Sequence, residues 1–93
     1  MSPRLAQCAF AKLLDLVDDI IALRKQVDTC LKPGEGTLRG GARWLENRRQ
    51  IAKDSLQAII DDCDVGLQLA PKNDYFRQKM NEAVEELNEL MRT

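Results

Sequence analysis

The chain has 93 residues, of which 44% are hydrophobic and 31% charged, and its formal net charge is −1. This length and this composition describe one folded domain and exclude a disordered tail. Only 4% of the residues are aromatic, so the core must be aliphatic, which favours helices over sheets because strand-forming residues are scarce.

A long helix is the first predicted element, over about residues 3–31. Ser2-Pro3 suits an N-cap and first helical residue, and Pro33-Gly34 stops the helix. Apolar residues recur at spacings of three and four from Ala6 to Cys30. A second row runs beside them and consists of Phe10, Leu14, Val17 and Ile21. The two rows cover about half of the circumference, so we expect helix 1 to contact at least two neighbours.

A glycine-rich loop is predicted over residues 32–41, because this segment holds four of the five glycines of the chain. Helix 2 then runs over about 42–69, and it can begin at Thr37 only if it tolerates Gly40-Gly41. Its main apolar stripe runs from Leu45 to Ala70. A second stripe repeats every seven residues and consists of Trp44, Ile51, Ala58 and Val65. Two stripes suit a middle helix that faces helices 1 and 3, although the sequence leaves open whether the second lies in the core or at an interface.

Helix 3 is predicted over about 73–92, after a tight turn at residues 70–72 and with Asn73 or Asp74 as its cap. The preceding segment GLQLAPKN (66–73) resembles the end of a tetratricopeptide repeat, in which a small residue precedes a Leu-x-Leu-x-Pro-x-Asn close. No second copy follows at that family's period of about 34 residues, so the resemblance indicates only where helix 2 ends. The predicted fold is all-α: an antiparallel up-down-up three-helix bundle with two long helices and a shorter C-terminal one.

Catalytic chemistry is not predicted, because no convergent acid, base or nucleophile set can be assembled. Histidine is absent, which removes Cys–His and Ser–His pairs and most zinc sites. Cys8, Cys30 and Cys63 form no CxxC motif, and the last two lie on apolar stripes. With no signal peptide and no apolar run long enough for a membrane span, the sequence predicts a reduced, cytoplasmic protein without a cofactor.

Two acidic clusters raise the possibility of a metal site. DLVDD (15–19) lies on helix 1 and DDCD (61–64) on helix 2. We expect both clusters to face outward, with Asp62 nearer the second stripe of helix 2, so they cannot converge on one ion as the carboxylates of di-metal bundles do. This pattern favours solvated surface acids over a Mg²⁺ or Ca²⁺ site.

Arginines gather at one end of the predicted bundle. Folding the first two helices about the loop places Arg24 opposite Arg49, with Asp28 one turn along. The candidate residues at this end are Arg24, Arg43, Trp44, Arg48, Arg49 and Arg92. They allow a structural interpretation, in which Arg24 pairs with Asp28 and arginine stems cover the edge of the core. They also allow a binding patch for a phosphate, a nucleic acid or an acidic protein segment. The near-neutral net charge disfavours tight nucleic-acid binding.

An acidic face is predicted on helix 3, and it consists of Glu82, Glu85, Glu86 and Glu89. Like charges one turn apart and carboxylates near a helix C-terminus are both mildly unfavourable, so a basic partner or a second copy would offset them. The sequence thus predicts a small protein–protein interaction module of adaptor, regulator or inhibitor type that self-associates or binds a larger protein. The alternative is an anion- or nucleic-acid-binding protein that uses the arginine-rich end.

Overall fold

The computed structural model describes residues 3–32 and 37–92, with side chains described over 9–32 and 43–92. It contains three helices: α1 (Pro3–Leu31), α2 (Thr37–Leu69) and α3 (Asp74–Arg92). α1 packs against α2, and α2 packs against α3. The predicted all-α, up-down-up three-helix fold is confirmed.

The start of α2 differs from the prediction. The helix begins at Thr37 instead of 42, so residues 37–41 of the predicted loop are helical and residues 33–36 lie outside the described part of the chain. Gly40-Gly41 is therefore tolerated within the helix. Each glycine costs about 1 kcal/mol relative to alanine, but extending a helix that is already nucleated by the amphipathic segment after it is much easier than nucleating a new one.

The turn between α2 and α3 follows from local hydrogen bonds. The Ala70 amide donates to the Gly66 carbonyl at 2.8 Å, and the Asn73 amide donates to the Ala70 carbonyl at 3.0 Å. The Asn73 side-chain oxygen then accepts from the amides of Tyr75 at 2.9 Å and Phe76 at 3.4 Å. Asn73 is thus the N-cap of α3, as one of the two predicted alternatives, because it satisfies amides that have no partner within the helix.

The core is aliphatic except for one phenyl ring, and all three helices contribute to it. Its buried hydrophobic members are Leu16, Ile20, Val27, Ala52, Leu56, Ile59, Cys63, Phe76 and Ala83. The residues from α2 all belong to its main stripe. α1 and α3 therefore share one broad stripe of α2, where the sequence had suggested one stripe for each neighbour.

Gly66 lets α3 approach α2 closely. A Cβ atom at this position would lie 2.6 Å from Cδ1 of Phe76, far inside van der Waals contact. The Phe76 ring is completely buried, so it fills the space that a side chain at residue 66 would need.

A groove separates α1 from α3. In the described residues these two helices do not pack along their backbones, and the molecule is elongated, with dimensions of 56 × 22 × 15 Å. α2 lies between them, and side chains alone connect α1 to α3. No helix among the described residues has the length and hydropathy needed to cross a membrane.

Candidate interaction surfaces

Arg24 connects α1 to α3. Its guanidinium forms a two-pronged ion pair with Glu86, in which Nη1 donates to Oε2 and Nη2 donates to Oε1 at 2.8 Å. Nη2 also lies 3.1 Å from Oδ1 of Asp28 on the next turn of α1. The hydrogen bonds that Arg24 donates to Glu86 raise the pKa of Arg24 above its ordinary value. The carboxylates of Glu86 and Asp28 therefore neutralise the positive charge of Arg24, a candidate anion-binding residue.

Arg48 caps the C-terminus of α1. Its Nε donates to the Cys30 carbonyl at 3.2 Å and its Nη2 donates to the Thr29 carbonyl. The guanidinium carbon also lies 4.7 Å from the ring centroid of Trp44, within the range of a cation–π contact. The last carbonyls of a helix lack donors within it and carry partial negative charge. The Arg48 guanidinium supplies both the N–H donors and the positive charge.

The other arginines divide into two kinds. Arg49 donates from Nη2 to the Leu90 carbonyl at 3.1 Å, one turn beyond the place where Arg24 meets Glu86. Arg43 and Arg92 are exposed. Three of the five candidate arginines are thus bonded within the chain, which supports the structural interpretation of this end over the anion-binding one.

The predicted acidic face is divided by these contacts. Glu86 is held by Arg24, and Glu82 lies 3.3 Å from Nζ of Lys79. Glu85 and Glu89 are exposed and line a shallow depression with Asn88 and Arg92. A basic partner of α3 would therefore meet mainly Glu85 and Glu89.

The second stripe of α2 lies largely outside the core. Ile51 is 42% exposed and Val65 is 37% exposed, while Ala58 is half-buried and Trp44 lies under Arg48. Helical spacing places these residues on one flank of α2. This stripe is available to contact another chain.

The second apolar row of α1 is also exposed, and its side chains are more exposed than those of the second stripe of α2. Phe10 is 62% exposed, Leu14 51% and Ile21 44%, whereas Val17 packs partly against the core. α3 docks on α2, and it comes near this row at Ile21, which lines a cavity together with Tyr75 and Lys79 of α3. The expectation of two neighbours stays a prediction for this row: within the described residues α2 packs on α1, and a groove separates α1 from α3.

A cavity of about 170 Å³ lies in this groove. Its floor is formed by the buried residues Ile20, Ile59 and Ala83, and its rim and walls by Ile21, Arg24, Lys25, Tyr75, Lys79 and Glu82. The second apolar row of α1 was visible in the sequence, but the cavity beside it was not, because its walls come from helices far apart in the chain.

One pair of acids from the two clusters converges, contrary to expectation. Asp19 of α1 lies close enough to Asp62 of α2 to influence its ionisation, and Oδ2 of Asp62 is buried without a hydrogen-bond partner among the described residues. Burial, followed by the Asp19 contact, raises the pKa of Asp62 to about 6. Asp61 and Asp64 point outward, as expected, and accept hydrogen bonds from Gln57 and Gln68.

Neither metal binding nor thiol chemistry is indicated by the described side chains. No group of three or more cysteine or acidic residues among them is placed to hold an ion. Cys63 is fully buried and burial raises its pKa to about 11, so it is a neutral thiol near pH 7. Cys30 is half-buried, and the side chain of Cys8 lies outside the described residues. No family model, curated protein or solved structure matches the chain.

Proposed function

We propose that this protein is a small helical interaction module that self-associates through an exposed apolar helix face. The observation that carries this proposal is the exposure of Phe10 and Leu14, each more than half accessible, on successive turns of α1. Large apolar patches are rare on the surfaces of monomeric soluble proteins and mark contact sites. Three cysteines without a CxxC motif support a reducing, cytoplasmic setting.

Binding of a phosphate or nucleic acid at the arginine-rich end has less support. Arg24 is neutralised by Glu86 and Asp28, and Arg48 is occupied by the C-terminus of α1. An anion would have to displace these contacts or rely on Arg43 and Arg92 alone. We therefore do not adopt this alternative.

Sedimentation velocity over a wide concentration range tests the proposal. We expect the wild-type chain to shift reversibly from monomer to a larger species as its concentration rises. The double variant Phe10→Ser/Leu14→Ser should remain a monomer with unchanged helical content, since its substitutions remove exposed apolar surface only. Ile51→Ser/Val65→Ser, on the second stripe of α2, is the matched control. A wild-type chain that stays monomeric at every concentration would contradict self-association.

A further inference from the structure

The outward side of α1 carries apolar and charged residues in alternation. Leu14, Asp18, Ile21 and Lys25 follow one another at spacings of four, three and four, so they form one strip along the helix. All four side chains are exposed. Phe10 extends the strip by one turn toward the N-terminus. The strip thus contains apolar side chains whose burial is favourable, and it carries one negative and one positive charge at fixed positions.

The charges of Asp18 and Lys25 distinguish a parallel from an antiparallel orientation of a second helix on this strip. In the part of the chain that the structure describes, neither side chain forms an ion pair, although both lie beside apolar residues on the same strip. If two copies of α1 met in parallel, Asp18 would face Asp18 and Lys25 would face Lys25. If they met antiparallel about a two-fold axis, Asp18 of each copy would lie near Lys25 of the other, which forms two attractive pairs.

The groove beside this strip offers room for a partner side chain. Ile21 and Lys25 form the α1 side of the cavity, and Tyr75 and Lys79 form the α3 side. Its volume of about 170 Å³ suits one large apolar side chain, because an apolar cavity of about 150 Å³ holds a benzene ring. An antiparallel crossing with its two-fold axis between Ile21 and Ala22 places Asp18 opposite Lys25 and brings Ile21 of the second copy to the mouth of this cavity.

We propose that the occupant of this face is a second copy of the chain, packed with its α1 antiparallel to the first. Asp18 and Lys25 then form reciprocal pairs, and Ile21 of each copy, next to the two-fold axis, lies at the α1–α3 cavity of the other. The inference rests on the proposed self-association and adds the face, the orientation and the residues. Helix-in-groove recognition buries apolar residues at this spacing.

Charge reversal tests the orientation. Asp18→Lys and Lys25→Asp should each weaken dimerisation about tenfold or more, because each places like charges at both pairs. An equimolar mixture of the two single variants should form a heterodimer as strong as the wild-type dimer, since every pair is then attractive. The double variant Asp18→Lys/Lys25→Asp should also recover. Sedimentation equilibrium measures the dissociation constants, and circular dichroism confirms that each variant is folded.

Glu85→Lys, on the exposed side of α3, is the control that should leave dimerisation unchanged. If the wild-type chain dimerises but the single variants bind as tightly as it does, or the mixture fails to recover, antiparallel α1 pairing is wrong while self-association stands. Loss of dimerisation in Ile51→Ser/Val65→Ser alone would assign the interface to α2 and overturn the inference. A monomeric wild-type chain would instead remove the proposed function itself.

Discussion

Arg24 of α1 and Glu86 of α3 form a two-pronged ion pair between helices whose backbones do not pack against each other. The pair lies beside the groove, because Arg24 also lines the cavity between the two helices. It therefore connects α1 and α3 through side chains at a place where their backbones are not in contact.

Removing either partner should destabilise the domain modestly. Arg24→Ala and Glu86→Ala should each lower the free energy of unfolding by about 1 kcal/mol, because charged hydrogen bonds are strong but these side chains are 38% and 32% exposed, so water screens the pair. The double variant should cost less than the two single costs together, since the same interaction is lost in each. Urea denaturation followed by circular dichroism measures all three values.

Asp28→Ala is the matched control, because Asp28 also contacts Arg24 but lies on α1 itself. A pair one turn apart on a helix contributes only about 0.3–0.5 kcal/mol. If Asp28→Ala proved as costly as Glu86→Ala, the connection to α3 would have no special role and the groove would be held by α2 alone.

The sequence predicts the helices well but not their partners. Spacings of three and four are enough to identify Leu16, Ile20 and Val27 as buried positions, because a helix returns to the same face at that period. The same periodicity does not say which element covers a face. It therefore suggests a neighbour for Phe10 and Leu14, whose side chains are more than half exposed in the structure.

Contacts between residues far apart in the chain are the second feature that the sequence does not predict. The Arg24–Glu86 ion pair joins residues 62 positions apart, and no local sequence pattern predicts it. The Arg24–Asp28 pair, one turn apart, was predicted and is present at 3.1 Å. The approach of Asp19 to Asp62 is not predicted either, because the rotation of one helix against the next is set by packing and not by its own pattern.

Arg48 should matter more to stability than the nearby Arg43. Arg48→Ala should cost about 1–2 kcal/mol, since it removes donors from the end of α1 and a cation–π contact with Trp44. Arg43→Ala should change stability by less than about 0.5 kcal/mol, because it is an exposed surface position. Thermal unfolding of both variants at matched ionic strength measures the difference.

Arg48→Lys separates charge from geometry. Lysine keeps the positive charge near the carbonyls of Thr29 and Cys30 but lacks the planar fork that reaches both and stacks on Trp44. We expect it to recover part of the lost stability. If Arg48→Ala left stability unchanged and instead abolished binding of inorganic phosphate, the anion-binding alternative would replace the structural interpretation.

Gly66 should resist substitution even though it lies within a helix. Alanine has the higher helix propensity by about 1 kcal/mol, but its Cβ would collide with the buried Phe76 ring at 2.6 Å. Overpacking of this kind costs about 1–3 kcal/mol, so Gly66→Ala should be net destabilising. Chemical denaturation of the variant measures the sign directly.

A smaller residue at position 76 provides the control. Phe76→Leu alone should destabilise the domain by leaving space beside Gly66, because the ring is fully buried. Gly66→Ala added to it should cost much less than in the wild-type background, since the new methyl group fills part of that space. Additive costs would show that Gly66 is required for some reason other than contact with Phe76.

Asp62 should make stability depend on pH in a direction opposite to that of most paired carboxylates. Its pKa rises from 3.8 to about 6 on folding, first because of burial and then because of Asp19, with a further contribution from Asp61 and an opposing one from Lys12. The folded state therefore binds the proton more tightly than the unfolded state, so this group's contribution to stability falls as pH rises from about 4 to about 6. Asp62→Asn should remove that loss and stabilise the domain near pH 7 by about 1 kcal/mol, after allowance for solvent screening.

Other carboxylates titrate over the same range, so the informative quantity is the difference in unfolding free energy between the wild type and Asp62→Asn at each pH. We expect this difference to be small near pH 4, where Asp62 is protonated in the folded state, and to grow to its full value above pH 6. Asp64→Asn, an exposed acid on the same helix that accepts a hydrogen bond from Gln68, should not reproduce that dependence. A difference that stayed constant with pH would mean that Asp62 is ionised in the folded state throughout, and that its contact with Asp19 does not hold the proton.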